Sequence, residues 1–132
     1  MDIVYFSNYS GNTKRFVEKL GMESIRIPIS ESEQDPTLVG NKYVLFVPTY
    51  GGGNDGHAIP RQVRSFLNDR SNRDNLVAVV GFGNINFGEH YCKAAEMIAA
   101  KTGVPILGRV EIFGTQDDVN TIKERLAMLD DK

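Results

Sequence analysis

Ile3-Val4-Tyr5-Phe6-Ser7-Asn8-Tyr9-Ser10-Gly11-Asn12-Thr13-Lys14-Arg15-Phe16-Val17-Glu18-Lys19-Leu20-Gly21 reads as a strand, a polar turn and a helix in direct succession. Ile3 to Phe6 is a short apolar run. From Thr13 to Leu20, the residues Phe16, Val17 and Leu20 share one helical face, and Gly21 supplies a left-handed stop. A strand that runs straight into an amphipathic helix through a polar loop is half of a crossover unit.

The same unit recurs along the chain. Ile25, Ile27 and Ile29 alternate as on a half-buried strand, and a polar stretch from Ser30 to Thr37 loops round to the next one. Tyr43 to Val47 and Leu76 to Val80 are continuous apolar runs, as expected of strands covered on both faces. Ile59, Val63, Phe66 and Leu67 have helical spacing, with Pro60 tolerable in the first turn. Tyr91, Ala94, Ala95 and Ile98 predict a helix closed by Gly103 and Pro105, and Ile106 to Phe113 a strand interrupted at Gly108. Val119, Ile122, Leu126 and Leu129 predict a last helix, which Thr115 to Asp118 introduces as a capping box. The order is β-α-β-β-α-β-α-β-α, with the 30–41 segment in place of one helix. Right-handed crossovers then require a parallel sheet with helices on both faces. Five strands fit an α/β, flavodoxin-like doubly wound sheet of order 2-1-3-4-5 in one domain spanning 1–132.

Composition narrows the function. The 132 residues suffice for one core, and 41% hydrophobic with 24% charged residues is ordinary for a globular chain. A formal net charge of −2 argues against a nucleic-acid partner, whose footprint is basic and clustered. Met1 to Phe6 lacks the pattern of a signal peptide, and no window approaches a membrane span. One cysteine, Cys92, excludes an internal disulfide, and His57 and His90 have no ligand-like spacing. The expectation is a cytoplasmic protein without a structural metal or a membrane partner.

In doubly wound sheets, ligands bind at the carboxyl ends of the strands near the switch in strand order. Three loops qualify. Ser7-Asn8-Tyr9-Ser10-Gly11-Asn12-Thr13 offers hydroxyls, an amide and the free N–H groups of a helix start, a combination that suits a phosphate dianion. A helix cap with turn residues is the plainer account of the same residues. No Walker lysine follows, and no Gly-x-Gly-x-x-Gly is present in this loop. Pro48-Thr49-Tyr50-Gly51-Gly52-Gly53-Asn54-Asp55-Gly56-His57 concentrates glycine beside an aromatic ring, consistent with close backbone approach to a flat ligand or with flexibility alone. Gly81-Phe82-Gly83-Asn84-Ile85-Asn86-Phe87-Gly88 follows the fourth strand. Phe87 is available to cover a ring face, Asn84 and Asn86 to bond its polar edge, and Phe82 is more economically a core residue.

Other reactive side chains have plainer readings. Cys92 lacks a basic activator and is expected to be a buried, idle thiol. His57 and His90 read as solvated, and Asp117 with Asp118 as helix N-terminal charge. No nucleophile–base–orienter set is visible, so any redox chemistry belongs to a cofactor.

Tyr9-Ser10-Gly11-Asn12-Thr13 resembles the flavodoxin phosphate loop, with Ser where Thr is common. More specifically, the chain resembles the NrdI family, the flavodoxin-like partner of class Ib ribonucleotide reductase. The resemblance rests on Val4-Tyr5-Phe6-Ser7, Asn12-Thr13, Arg15-Phe16, Val47 to Gly53, Pro60-Arg61-Gln62-Val63 and Phe66-Leu67-Asn68. It continues through Gly83-Asn84, Asn86 to Glu89, Gly103-Val104-Pro105 and Gly114-Thr115-Gln116. It implies FMN with its phosphate on Ser7 to Thr13 and its ring between Tyr50-Gly51-Gly52 and the Gly83 to Gly88 loop, with Phe87 stacking. It also implies a job in which reduced flavin, fed by a separate reductase, reacts with O2. The oxidant then passes to the dimanganese site of the radical subunit, where a tyrosyl radical forms.

Electron-carrier flavodoxins tend to have Asp and Tyr where this chain has Asn84 and Phe87. Each negative charge near the flavin opposes its anionic reduced form by about 1 kcal/mol in partly wet surroundings, or about 40 mV for one electron. Asp55 and Glu89 remain, so the local charge is reduced rather than absent, and the second reduction is expected to be easier here. Two other classes stay open: a generic one-electron-carrier flavodoxin, and a receiver-like module of the same fold. The latter fits poorly, because the strand ends at Ser7, Pro48 and Gly81 lack clustered carboxylates.

Overall fold

The computed structural model describes residues 1–8, 10–29, 39–50, 58–84 and 91–130. Strands β1 (Asp2–Tyr5), β2 (Ser24–Arg26), β3 (Tyr43–Pro48), β4 (Leu76–Gly83) and β5 (Ile106–Glu111) form one parallel sheet in the order β2-β1-β3-β4-β5. Helices α1 (Asn12–Leu20), α2 (Arg61–Asn68), α3 (Arg70–Asp74), α4 (Lys93–Thr102) and α5 (Gln116–Asp130) connect and cover it. The expected five-stranded, doubly wound flavodoxin-like order is the observed one.

Side chains on a strand alternate between faces, so a sheet covered twice needs apolar residues at every position. Ile3, Tyr5, Val44, Phe46, Val80 and Phe82 pack with Phe16, Val17 and Leu20 of α1 and Val119, Ile122 and Leu126 of α5. Val4, Phe6, Leu45, Val47 and Val79 pack with Val63 and Phe66 of α2 and Ala94, Ala95 and Ile98 of α4. All six residues of β3 are buried, which is why its sequence shows no polar–apolar alternation.

Several boundaries differ from the sequence reading, each for a local reason. Strand β2 stops at Arg26, although Ile27 still donates its N–H to the Tyr5 carbonyl at 2.8 Å. Pro28 then has no N–H to continue the ladder. Ile25 is 37% exposed and Ile27 3%, so the three isoleucines do not share one half-buried face. Strand β4 runs on through Gly81-Phe82-Gly83, which the sequence suggested as loop. A Cβ on Gly81 would lie 2.6 Å from the Ala95 Cβ, and one on Gly83 would lie 2.8 Å from the Cys92 nitrogen. These glycines let α4 approach the strand. At Gly108 a Cβ would meet the Ile122 side chain at 2.5 Å, and the β4–β5 register shifts beside it. Strand β5 ends at Glu111 rather than Phe113, because Ile112 turns to φ 54°.

Helix α4 begins after Cys92, whose own φ of 56° excludes Tyr91 from the helix. The short α3 was not foreseen. The Asp69 carboxylate caps it by accepting the Ser71 N–H at 2.9 Å. Its Asn72 is fully buried; Oδ1 accepts the Val39 N–H at 3.0 Å and Nδ2 donates to the Phe66 carbonyl at 3.0 Å. The capping box of α5 forms as read. Thr115 N–H donates to the Asp118 carboxylate at 2.9 Å, and Asp118 N–H to the Thr115 hydroxyl at 3.1 Å. Among the described residues, no helix is long and apolar enough to cross a membrane.

Candidate functional site

A cleft of about 270 Å³ opens where β1, β3, β4 and β5 end. Its lining comes from four segments: Asn8, Ser10, Asn12 and Thr13; Pro48 and Thr49; Phe82, Gly83 and Asn84; and Ile112. This is the carboxyl edge of the sheet, with β1 and β3 adjacent at the switch in strand order.

The first segment is shaped by its own hydrogen bonds. Asn8 Oδ1 accepts from the Ser10 N–H at 3.0 Å and from the Ser10 hydroxyl, closing an Asx turn. Gly11 follows with φ 73°, a left-handed conformation, and caps α1 with its carbonyl accepting the Arg15 N–H at 2.9 Å. Ser7 is fully buried and is not part of the cleft wall; its hydroxyl accepts the Lys14 N–H at 3.2 Å. One early amide of α1 is thereby satisfied. Among the described residues, the Asn12 and Thr13 amides have no acceptor, and they stand at the positive end of the α1 dipole.

The other walls are equally fixed. Thr49 donates its N–H to the Phe82 carbonyl at 2.9 Å, and its hydroxyl oxygen accepts the Ala94 N–H at 3.0 Å. The end of β3 is thus joined to β4 and to the start of α4. Tyr50 donates its N–H to the Ala58 carbonyl at 2.9 Å, and its ring meets Phe6 edge-on at 6.5 Å. Its side chain is half-buried against Phe6 and is not part of the lining of this cleft. Phe82 is 2% exposed and belongs to the α1–α5 core, yet it also borders the cleft.

Of the residues singled out in the sequence, the cleft gathers Asn8, Ser10, Asn12, Thr13, Pro48, Thr49, Gly83 and Asn84. Ser7, Gly11 and Tyr50 adjoin these residues in the chain without lining the cleft. Tyr9, Gly51, Gly52, Asn86, Phe87 and Gly88 lie outside the described residues. The sequence reading missed Ile112. The signal was available, because the rule that leads to the ends of β1, β3 and β4 applies equally to β5.

Among the described residues, none that lines the cleft carries a formal charge. What these residues offer an anion is N–H groups, hydroxyls and amides. Cys92 lies under Gly83, fully buried, and burial pushes its thiol up to about 11 from an ordinary 9.0. Its half-buried neighbour Tyr91 is pushed up to about 12, again chiefly by burial. Neither offers a nucleophile near neutral pH, in line with the idle thiol read from the sequence.

Comparison with known proteins gives this arrangement a family. A family model described as "NrdI Flavodoxin like" matches residues 4–124. Protein NrdI of Shigella boydii serotype 4 (strain Sb227) is 50% identical over 122 residues, spanning 92% of this chain and 88% of that protein. Protein NrdI of Escherichia coli (strain K12 / DH10B) is 49% identical over the same share of each. Among solved structures, the flavodoxin of Streptococcus pneumonia TIGR4 superposes with a TM-score of 0.63 at 19% identity, covering 98% of this chain and 96% of that one. Two-electron reduced Megasphaera elsdenii flavodoxin gives 0.59 at 17% identity, over 97% and 99%. The flavodoxin likeness speaks for the fold alone; on the family model and the sequence relatives together, the chain belongs to the NrdI flavodoxin-like family.

Proposed function

We propose that this chain is an FMN-binding redox accessory protein of class Ib ribonucleotide reductase. When bound and reduced, FMN supplies the reaction with O2 whose product, superoxide or peroxide, reaches the dimanganese site of the radical subunit and generates its tyrosyl radical.

The observation that carries the proposal is the cleft itself in a chain of a flavodoxin-like family. It joins the unpaired Asn12 and Thr13 amides, the Ser10 and Thr13 hydroxyls and the ends of β3 and β4 in one cavity. Those donors suit a phosphate dianion, and Gly11 allows the turn that aims them. Asn8 holds the turn closed, and Ser7 fixes the first turn of α1 from beneath. Pro48, Thr49, Gly83 and Asn84 form the walls along which a flat ring system would lie. In this account Tyr50, Gly51, Gly52, Asn86, Phe87 and Gly88 complete the ring site, and Tyr9 contributes its N–H to the phosphate. The 132 residues act as one FMN-binding domain in the cytoplasm, with electrons from a separate reductase and no nucleic-acid or membrane partner.

The test is ribonucleotide reductase activity. Manganese-loaded radical subunit from the same source is incubated with the reduced, FMN-loaded protein and O2, then assayed with its catalytic subunit. Activity that requires the protein, its reduction and O2 is expected. A flavin-loaded protein that confers no activity on a competent subunit would point instead to one-electron carriage.

A further inference from the structure

Ile112 and Cys92 are the only described non-glycine residues with positive φ, and Ile112 is the β-branched one, at φ 54°. For a β-branched residue this conformation is an outlier, maintained only where the surroundings impose it. Here they do. The Ile112 N–H donates to the Gly83 carbonyl at 2.8 Å, which ties the turn to the end of β4. Two residues on, Gly114 is also left-handed at φ 75°, and a Cβ there would lie 2.8 Å from the Phe16 ring and from Val110. Between them the Phe113 ring lies under Lys19 and Arg15 of α1, at 5.3 and 5.9 Å.

The turn after β5 is therefore braced against both β4 and α1, and the backbone at position 112 suits Gly or Asn far better than Ile. An isoleucine there is nevertheless 40% exposed and lines the cleft with Phe82 and Asn84. An apolar side chain offers nothing to a phosphate. It offers dispersion contact and exclusion of water to the uncharged part of a ligand.

We infer that Ile112 is a ligand-positioning residue, strained so that its side chain walls the flavin body rather than the phosphate. The inference rests on the flavin proposal above. Half-exposed in the free protein, the side chain has apolar area left to bury. Its removal is expected to weaken binding roughly tenfold, part of the gain from burying a whole isoleucine.

The test titrates apo protein with FMN and with riboflavin, in wild type, Ile112→Gly and Ile112→Asn. Both variants accept the left-handed backbone. Inorganic phosphate, as a competitor of FMN, reports on the phosphate loop separately. The expected result is an equal loss for FMN and riboflavin, an unchanged inhibition constant for phosphate, and an apo unfolding midpoint no lower than wild type in at least one variant. Loss confined to FMN, or weakened phosphate competition, would mean the turn acts on the phosphate loop through α1 and would overturn the inference. Unchanged flavin affinity would also overturn it, as would lowered apo midpoints in both variants. Failure of wild type to bind FMN would remove the flavin proposal itself, and this inference with it.

Discussion

The Ser7 hydroxyl accepts the Lys14 N–H at 3.2 Å, so a residue just beyond the first strand also caps the helix that follows. Ser7 is fully buried while its neighbour in the loop, Ser10, is exposed. The two hydroxyls therefore do different work. Ser7→Ala should lose about 1 kcal/mol of stability in denaturant unfolding of the apo protein, as expected for a lost cap. Ser10→Ala should change stability by less than about 0.5 kcal/mol, and weaken FMN roughly five- to tenfold through a lost ligand hydrogen bond.

Gly83 and Gly11 separate the two uses of glycine. Gly83→Ala drives a Cβ to 2.8 Å from the Cys92 backbone nitrogen. The backbone must move, and the apo protein should lose about 2–3 kcal/mol. Gly11→Ala meets nothing within 4 Å, and only its φ of 73° opposes the change. The expected loss there is about 1–2 kcal/mol, the ordinary left-handed penalty. Denaturant unfolding that ranks Gly11→Ala as the more damaging would contradict the close approach of α4.

Cys92 gives a pH dependence with a definite sign. Burial raises its thiol from 9.0 to about 11, so the folded protein retains a proton that the unfolded chain releases across that window. Stability from this group is complete below pH 9 and declines as pH rises toward 11, by on the order of 2 kcal/mol in full. Tyr91 contributes in the same direction at higher pH. In Cys92→Ala the fall between pH 9 and 11 should be shallower than in wild type. At pH 8 the native thiol should resist a thiol reagent that titrates it fully in denaturant.

Asn84 lines the cleft as a neutral residue. Asn84→Asp would add one negative charge beside the proposed ring position. The midpoint of the second one-electron reduction should fall by about 40 mV. An unchanged potential with FMN still bound would mean that position 84 does not face the ring.

Much of this fold was legible because strands buried on both faces announce themselves. Tyr43 to Val47 and Leu76 to Val80 have no polar residue, and the left-handed Gly21 and Gly103 close their helices as their positions suggest. The exceptions depend on contacts distant in sequence. Asn72 looks like a surface residue until Val39 and Phe66 supply its partners. Gly81 and Gly83 resemble a turn until α4 packs on them, and Ile112 carries no sign of its left-handed backbone. The cleft was legible where loop chemistry is local, as at Asn8 to Thr13. It was not legible where a strand-forming residue is recruited by geometry, as at Ile112.

Electron paramagnetic resonance tests the central claim most directly. The sample combines reduced, FMN-loaded protein, the manganese-loaded radical subunit from the same source, and O2. The account predicts a tyrosyl radical signal that appears only when all three are present. No radical, with flavin bound and the subunit independently shown competent, would contradict it.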